Sequence, residues 1–369
     1  MSISDYFNGN PTLPQEQDYV LLDKETLLGL VAAILSEQDS PGLKERARLL
    51  KEAVESLDSM LVNTGREELP VRVNPFLEEI QQILDAYTYE RSRYYAERLQ
   101  KGLVEAKTND VNDINLRRWK DYDEVFTDSL WSIDRRDQSG AHLGWYWGNY
   151  VPQIPHQLML RYSKLGDLVI DPFLGSGTTL IECRRLGRNG VGVEISPSTA
   201  VRARELVEIE ENPYNVTTLV EVGDSQCFEF RKIIEDMGRD TVDLFLMHPP
   251  YHDIIQFTSD PNDLSNARNT DSFLDMFGHI LDNTIPFLRK GRYAGIVIGD
   301  KYSQGEWIPL GFYCMQKALS RGLKLKSIIV KNFDETKGKR NQKALWRYRA
   351  LQSGFYVFKH EYILILEKR

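Results

Sequence analysis

The chain has 369 residues, 41% hydrophobic and 27% charged, enough for one large α/β domain and a smaller one. No apolar run approaches the roughly 20 residues that span a bilayer, and the opening MSISDYFNGN lacks the charged start and apolar core of a signal peptide, so a cytoplasmic protein is expected. Three scattered cysteines (Cys183, Cys227, Cys314) and six dispersed histidines offer neither a disulfide framework nor metal-ligand spacing, and the net charge of -8 argues against a general polyanion binder.

The first part reads as helical. DKETLLGLVAAILSEQ places Leu27, Leu28, Val31, Ala32 and Leu35 on one helix face, and GLKERARLLKEAVESLDSMLVN repeats the pattern after a Ser-Pro-Gly break. NPFLEEIQQILDAYTYERSRYYAERLQKGLVEA opens on an Asn-Pro start signal and continues without a breaker to Gly102. These helices predict a module over residues 1–110, suited to dimerisation or nucleic-acid contact, ahead of a second domain over 111–369.

From Asp167 onward the periodicity changes. DLVIDPF, GVGVEI, VTTLVEVGD, VDLFLMH, RYAGIVIGD, KLKSIIVKNF and EYILILEK alternate with amphipathic stretches, which predicts a mostly parallel seven-stranded sheet covered by helices on both faces. A basic loop joins the last two runs where a helix would be needed for a parallel crossover, so an antiparallel final strand is expected.

The first of these strands runs into Asp171-Pro172-Phe173-Leu174-Gly175-Ser176-Gly177-Thr178-Thr179 and then a helix. Glycines at 175 and 177 let a ligand approach the backbone, and the helix start presents free N–H groups. The second strand ends in Glu194, placed to accept from both hydroxyls of a ribose. Asp224 ends the third and is placed to accept from an adenine amino group. With no Walker lysine nearby, the expected ligand is a nucleoside without a triphosphate.

The fourth strand delivers His248-Pro249-Pro250-Tyr251. Two prolines lack N–H donors and lock φ, so they hold carbonyls rigidly outward. Such acceptors orient the hydrogens of an aromatic amine while Tyr251 stacks on its ring. The same prolines keep His248 and His252 from forming a helical metal pair, and no metal is expected.

At these residues the chain resembles the amino-methyltransferases of DNA, which make N6-methyladenine or N4-methylcytosine. DPFLGSGTT looks like their cofactor motif, HPPY like their catalytic motif, and GNYVPQIPHQLMLRYSKLGD like the helix that closes over the methionine end of the cofactor. The resemblance covers roughly residues 145–369, with the motif order of the gamma-like arrangement. It implies a Rossmann-like class I methyltransferase fold and S-adenosylmethionine as cofactor. Asp171, Phe173, Gly175 and Gly177 are then expected at the methionine part, with Pro172 and Thr178 in the same motif, Glu194 at the ribose and Asp224 at the adenine. His248, Pro249, Pro250 and Tyr251 are expected to be catalytic, on a base flipped out of the duplex. DNA is the expected partner, together with a homodimer and a cognate restriction nuclease. Adenine N6 is the favoured target and cytosine N4 the alternative; guanine N2 of RNA and a silent nucleic-acid-binding subunit are further readings.

His248 departs from the family, whose Asp, Asn or Ser supplies an oxygen acceptor. A neutral imidazole offers one acceptor nitrogen and a protonated ring none. Two readings stay open: neutral His248 accepts from the target amine, so that turnover falls as pH drops through its pKa, or it only packs while the Pro249 carbonyl suffices. For target recognition the candidates are the helical N-terminal module, FTDSLWSIDRRDQSGAHLGWYWGN and the basic loop KGKRNQKALWRYR in the segment Lys317 to Arg349, with Trp346 and Tyr348 interleaved, the last two favoured. The loop Asp260 to Asn266 after Tyr251 is expected to cover the target or to be an ordinary surface loop. Asp300 is a candidate for the base pocket, with a structural turn as its alternative.

Overall fold

The computed structural model describes residues 19–62, 66–332 and 343–369. The opening MSISDYFNGN lies outside this range, as do Lys337, Lys339 and Arg340 of the basic segment and the acids Asp334 and Glu335. The chain forms two compact units, Met1–Val125 and Phe126–Arg369. No helix among the described residues is long and apolar enough to cross a membrane.

The first unit contains β1 (Tyr19–Asp23), α1 (Lys24–Ser36), α2 (Ser40–Glu55), β2 (Glu68–Arg72), α3 (Val73–Asp85) and α4 (Tyr89–Val104). The carboxylates of Asp23 and Asp39 cap α1 and α2, accepting from the amides of Thr26 and Gly42 at 2.7 Å each. The face that α1 buries carries Leu27, Val31 and Ile34, whereas Ala32 is exposed and Leu28 and Leu35 are half-buried. The apolar stripe is thus rotated from the expected one, with Ile34 in the core and Ala32 outside it.

Two features of this unit have no counterpart in the sequence reading. β1 and β2 pair antiparallel, Tyr19 opposite Arg72. The long third helix is broken at Ala86, whose extended backbone ends α3, and Thr88 caps α4 by accepting from the Arg91 amide at 3.2 Å. The break lets both helices turn apolar faces inward, Phe76, Ile80 and Ile83 from one and Ala96, Leu99 and Leu103 from the other.

In chain order the second unit contains β3 (Leu130–Ser132), α5 (Gln153–Tyr162), β4 (Leu168–Asp171), α6 (Thr178–Leu186), β5 (Asn189–Glu194), α7 (Pro197–Ile209) and β6 (Thr218–Val222). It continues through α8 (Phe230–Asp236), β7 (Val242–Met247), α9 (Thr270–Thr284), β8 (Leu288–Ile298), β9 (Lys301–Ser303), β10 (Glu306–Ile308), α10 (Leu310–Leu319), β11 (Leu323–Asn332), α11 (Lys343–Ser353) and β12 (His360–Lys368).

The described residues form an eight-stranded sheet, ordered β3-β11-β12-β8-β7-β4-β5-β6, where seven strands were expected. The added strand is β3, three residues long, which pairs parallel with the outer edge of β11 and is anchored by the buried Trp131. It is too short to show a period of two. As expected, β12 runs antiparallel to both its neighbours, and the other pairings are parallel. Every residue of β4 and β7 is buried, as central strands covered on both faces require. Strand order reverses between β4 and β7, and a crevice opens at the carboxyl ends of parallel strands at such a point. The unit is a Rossmann-like α/β fold.

Candidate functional site

The glycine turn is held from behind by Asp171. Its buried carboxylate accepts from the Phe173 amide at 2.9 Å, from the Tyr150 hydroxyl at 3.4 Å and from the Thr179 hydroxyl. Burial pushes its pKa up to about 6 against the lowering effect of those three donors. Gly175 and Gly177 adopt φ of +53° and +87°, in the left-handed region. Gly177 caps α6 against α7: a Cβ there would stand 3.1 Å from Val207 and 3.4 Å from Ala203.

Glu194 closes the turn from the front. One carboxylate oxygen accepts from the Gly175 amide and the other from the Ser196 amide, both at 2.9 Å. Burial raises its pKa while these bonds lower it. Each oxygen keeps a lone pair, so the carboxylate can accept further donors from a guest.

A crevice partly open to solvent lies in front of this turn. Of the residues expected to bind a cofactor, Pro172, Phe173, Gly175, Thr178, Glu194 and Asp224 line it; of those expected to be catalytic, His248 and Pro250 do. Asp171, Gly177, Pro249 and Tyr251 stand outside its lining. Asp171 and Gly177 therefore shape the turn from within, and Tyr251 sits one step back from the wall.

The His-Pro-Pro-Tyr corner is tied to the far strands. His248 stacks on Tyr150, ring centroids 4.8 Å apart, and stands edge-on to Tyr251 at 5.6 Å. The Tyr251 hydroxyl donates to Glu361 Oε2 at 2.7 Å and lies 3.2 Å from His248 Nε2. Glu361 Oε1 is 3.1 Å from Lys331 Nζ, both residues nearly buried and directly opposite each other on β12 and β11. The Tyr251 ring lies against Gly299, where a Cβ would come within 2.7 Å of it. Burial pulls the His248 pKa down to about 4, Glu361 opposing the shift and Lys331 adding to it. The ring is neutral at ordinary pH.

The turn after the corner is locked separately. His252, at φ +54°, donates through Nε2 to the Ala267 carbonyl at 2.9 Å and accepts through Nδ1 from Lys301 Nζ at 3.0 Å, while Lys301 also meets Asp253. The loop Asp260 to Asn266 is laced by its own bonds, Asp263 taking the Thr258 amide at 3.0 Å and Asn266 reaching the carbonyls of Thr258 and Asp260. Asn262 and Asp263 form part of the crevice wall.

Sequence reasoning assigned the aromatic run before α5 to target recognition. Tyr146, Gly148 and Asn149 from it line the crevice, with Tyr150 of the following segment, and Asn149 donates to the Ser176 hydroxyl at 2.7 Å. Tyr146 stacks on Phe257, centroids 5.5 Å apart and planes 19° from parallel. The readable signal was the small-then-polar Gly148-Asn149 step inside an aromatic cluster.

Asp300 takes the structural alternative, accepting from the Trp307 indole at 3.0 Å, the Gly311 amide at 3.1 Å and the Tyr362 hydroxyl at 3.4 Å. Among its described residues the basic segment is not one continuous patch. Lys317 pairs with Asp275, Arg321 with Asp282, Lys326 with Glu367 and Lys331 with Glu361. Acids distant in sequence neutralise these cations. On α11, Arg347 and Arg349 are exposed, and the Arg349 guanidinium lies over the Trp346 ring at 5.4 Å.

One cluster was not foreseen. Asp137, His142 and Glu182 present ligand-type atoms within 4.8 Å of one another. Arg185 supplies positive charge at the same place, 3.3 Å from Asp137 and 3.6 Å from Glu182. Burial alone would raise Glu182, yet hydrogen bonds from His142 and His156 bring it to about 2.

The glycine turn, the buried carboxylate facing it and His248 and Pro250 of the proline-rich corner share one crevice of an open α/β sheet. A family model, "N6_N4_Mtase: DNA methylase", matches residues 63–205, which include the glycine turn and Glu194. Type II methyltransferase M.MjaII of Methanocaldococcus jannaschii is 26% identical over 206 residues, 54% of this chain and 34% of that protein. M.HpaI of Haemophilus parainfluenzae is 37% identical over 59 residues, 16% of this chain and 19% of that protein. Over the matched segment the chain is similar to the N6/N4 DNA methylase family. It spans 34% of the length of M.MjaII. Similar solved structures include Aeropyrum pernix fibrillarin with natively bound S-adenosyl-L-methionine (15% identity, 55% of this chain, 67% of that one, TM-score 0.33). A methyltransferase from Pyrococcus furiosus is 14% identical, covering 62% of this chain and 92% of that one at TM-score 0.37.

Proposed function

We propose that this chain is an S-adenosylmethionine-dependent DNA methyltransferase acting on the exocyclic amino group of a base, adenine N6 before cytosine N4. The observation that carries the reading is that Glu194 and His248 line one crevice. One suits a ribose and the other an amine, so donor and acceptor meet there. The residues fit the cofactor: a half-satisfied buried carboxylate, a glycine turn that leaves backbone uncovered, and the aromatic Phe173 beside Asp224.

When bound, S-adenosylmethionine supplies an electrophilic methyl group on a sulfonium. Glu194 would accept the ribose hydroxyls and Asp224 the adenine amine, while Tyr146 and Phe257 would limit water access. At the corner, Pro250 stands in the crevice wall, and neutral His248 beside it offers a ring acceptor. An aromatic amine is a weak nucleophile because its lone pair is delocalised, so holding its two hydrogens out of the ring plane and its nitrogen in line is the contribution required of the protein. No covalent intermediate is involved, and the displaced amine proton passes to water.

DNA is the proposed partner. Arg347 and Arg349, with Trp346 beside them on α11, combine phosphate contact with a stacking face, and α11 leads back into β12, which carries Glu361 of the corner network. Incubation of the purified chain with labelled S-adenosylmethionine and duplex DNA, followed by nucleoside mass spectrometry, tests the reading. N6-methyladenine is expected; N4-methylcytosine would move the target, and label entering RNA alone would overturn the DNA assignment. Sedimentation and co-purification test the expected homodimer and cognate nuclease.

A further inference from the structure

His248 stands where an oxygen acceptor would be simpler, and a neutral imidazole accepts through only one of its two nitrogens. Which nitrogen carries the proton is set by what the other one touches. Three residues, Tyr251 of the corner and the facing pair on β11 and β12, answer that question here.

Lys331 has no acceptor, so its ammonium donates to Glu361 Oε1, 3.1 Å away. Glu361 Oε2 accepts from the Tyr251 hydroxyl at 2.7 Å. That hydroxyl has a single proton, now committed, and presents only lone pairs toward His248 Nε2 at 3.2 Å. Nε2 must therefore be the donor. Nδ1 is left with the lone pair, since the hydrogen bond of this ring among the described residues is the one at Nε2. The chain of donors runs one way, from His248 to Tyr251 to Glu361, because the carboxylate at its end can only accept. A like-for-like network with no charge at the end could run in either direction.

We propose that Glu361, oriented by Lys331, is a positioning residue that fixes the tautomer of His248 through Tyr251, so that Nδ1 is the nitrogen offered to the target amine. The inference rests on the proposed methyl transfer for its catalytic consequence, but the tautomer itself does not. Tyr251 thereby relays through its hydroxyl the direction of the hydrogen bonds.

The Glu361→Gln substitution tests this with almost no change of shape. The amide oxygen must face Lys331, since the NH2 would repel an ammonium, so the NH2 faces Tyr251 and donates to its hydroxyl. The hydroxyl proton is then free to point at His248 Nε2, the ring proton moves to Nδ1, and the acceptor is lost.

Nitrogen-15 NMR on histidine-labelled protein, assigned by comparison with His248→Asn, reads the tautomer without any turnover. In the wild type Nε2 is expected to be protonated and Nδ1 bare; in Glu361→Gln the two exchange roles. The rate constant kcat is expected to fall at least about ten-fold with cofactor KM unchanged, the worth of one buried hydrogen bond in the transition state. In a His248→Asn background, whose amide can turn to suit its neighbours, Glu361→Gln should alter kcat by less than about two-fold. Tyr251→Phe, which cuts the relay while keeping the ring, should leave His248 in a mixture of tautomers. A protonated Nδ1 in the wild type, an unchanged tautomer in Glu361→Gln, or an equal loss of rate in the His248→Asn background would each overturn the proposal. If no DNA is methylated by the wild type, the proposed reaction fails while the NMR result still decides the tautomer.

Discussion

Glu194 Oε2 accepts the Gly175 amide proton at 2.9 Å across 19 residues of sequence, joining the ends of β4 and β5 in front of the sheet. The bond makes one carboxylate both the clasp of the glycine turn and the acceptor for a guest. Truncation by Glu194→Ala is expected to weaken S-adenosylmethionine binding by roughly 10- to 100-fold, the loss of charge-assisted hydrogen bonds worth about 1.5–3 kcal/mol. Glu194→Gln should fall between, because its NH2 must face either the Gly175 or the Ser196 amide and one of the two bonds is lost. Calorimetry measures both; unaltered affinity in Glu194→Ala would remove this residue from the site.

Gly177 is expected to matter for stability more than for binding. A methyl there meets Val207 and Ala203 in a left-handed backbone conformation. Gly177→Ala should cost about 1–3 kcal/mol, seen as a fall in Tm of several degrees. Cofactor affinity should change less than in Glu194→Ala.

Tyr146 and Phe257 close one side of the crevice by stacking, a pair worth about 0.5–1.5 kcal/mol beyond the area it buries. Phe257→Ala is expected to raise the cofactor dissociation rate about ten-fold with little effect on Tm. Stopped-flow displacement would show it, and a dissociation rate equal to that of the wild type would mean that the pair does not guard the site.

His248 gives a pH prediction with a definite sign. Its pKa falls from the ordinary 6.5 to about 4 in the folded chain, so between those values the unfolded state binds more protons. Stability from the neutral ring is complete above pH 6.5 and is lost as pH falls toward 4. Urea unfolding of the wild type should therefore steepen in this window relative to His248→Asn. Turnover should show no acid limb from His248 between pH 5 and 8. This moves the acid limb expected from the sequence to about pH 4, outside the working range.

Much of the site was legible in the chain because its parts are local. Asp171 through Thr178 form one strand-turn-helix passage, and Glu194 and Asp224 end the next two strands. A period of unbroken apolar runs is enough to place such residues at one edge of a parallel sheet. The same local reading erred where packing overrode it. No breaker marks Ala86, yet the helix stops there so that two short faces can be buried in place of one long one. The basic segment looked uniform because the acids that pair with it, Asp275, Asp282, Glu361 and Glu367, lie elsewhere in sequence.

What the sequence determined by itself was the run of apolar strands from Asp167 onward, the glycine turn and the proline corner, all of which depend on neighbours within a few residues. Tertiary structure alone decided that Asp171 holds the turn from behind, that Tyr146 and Phe257 meet, and that Lys331 and Glu361 stand behind Tyr251. These outcomes hang on strand register: β12 is antiparallel to its neighbours, and only that pairing brings residue 361 opposite 331 and within 2.7 Å of a hydroxyl 110 positions earlier. A hydrogen bond depends on tenths of an ångström, and that precision comes from the packed core.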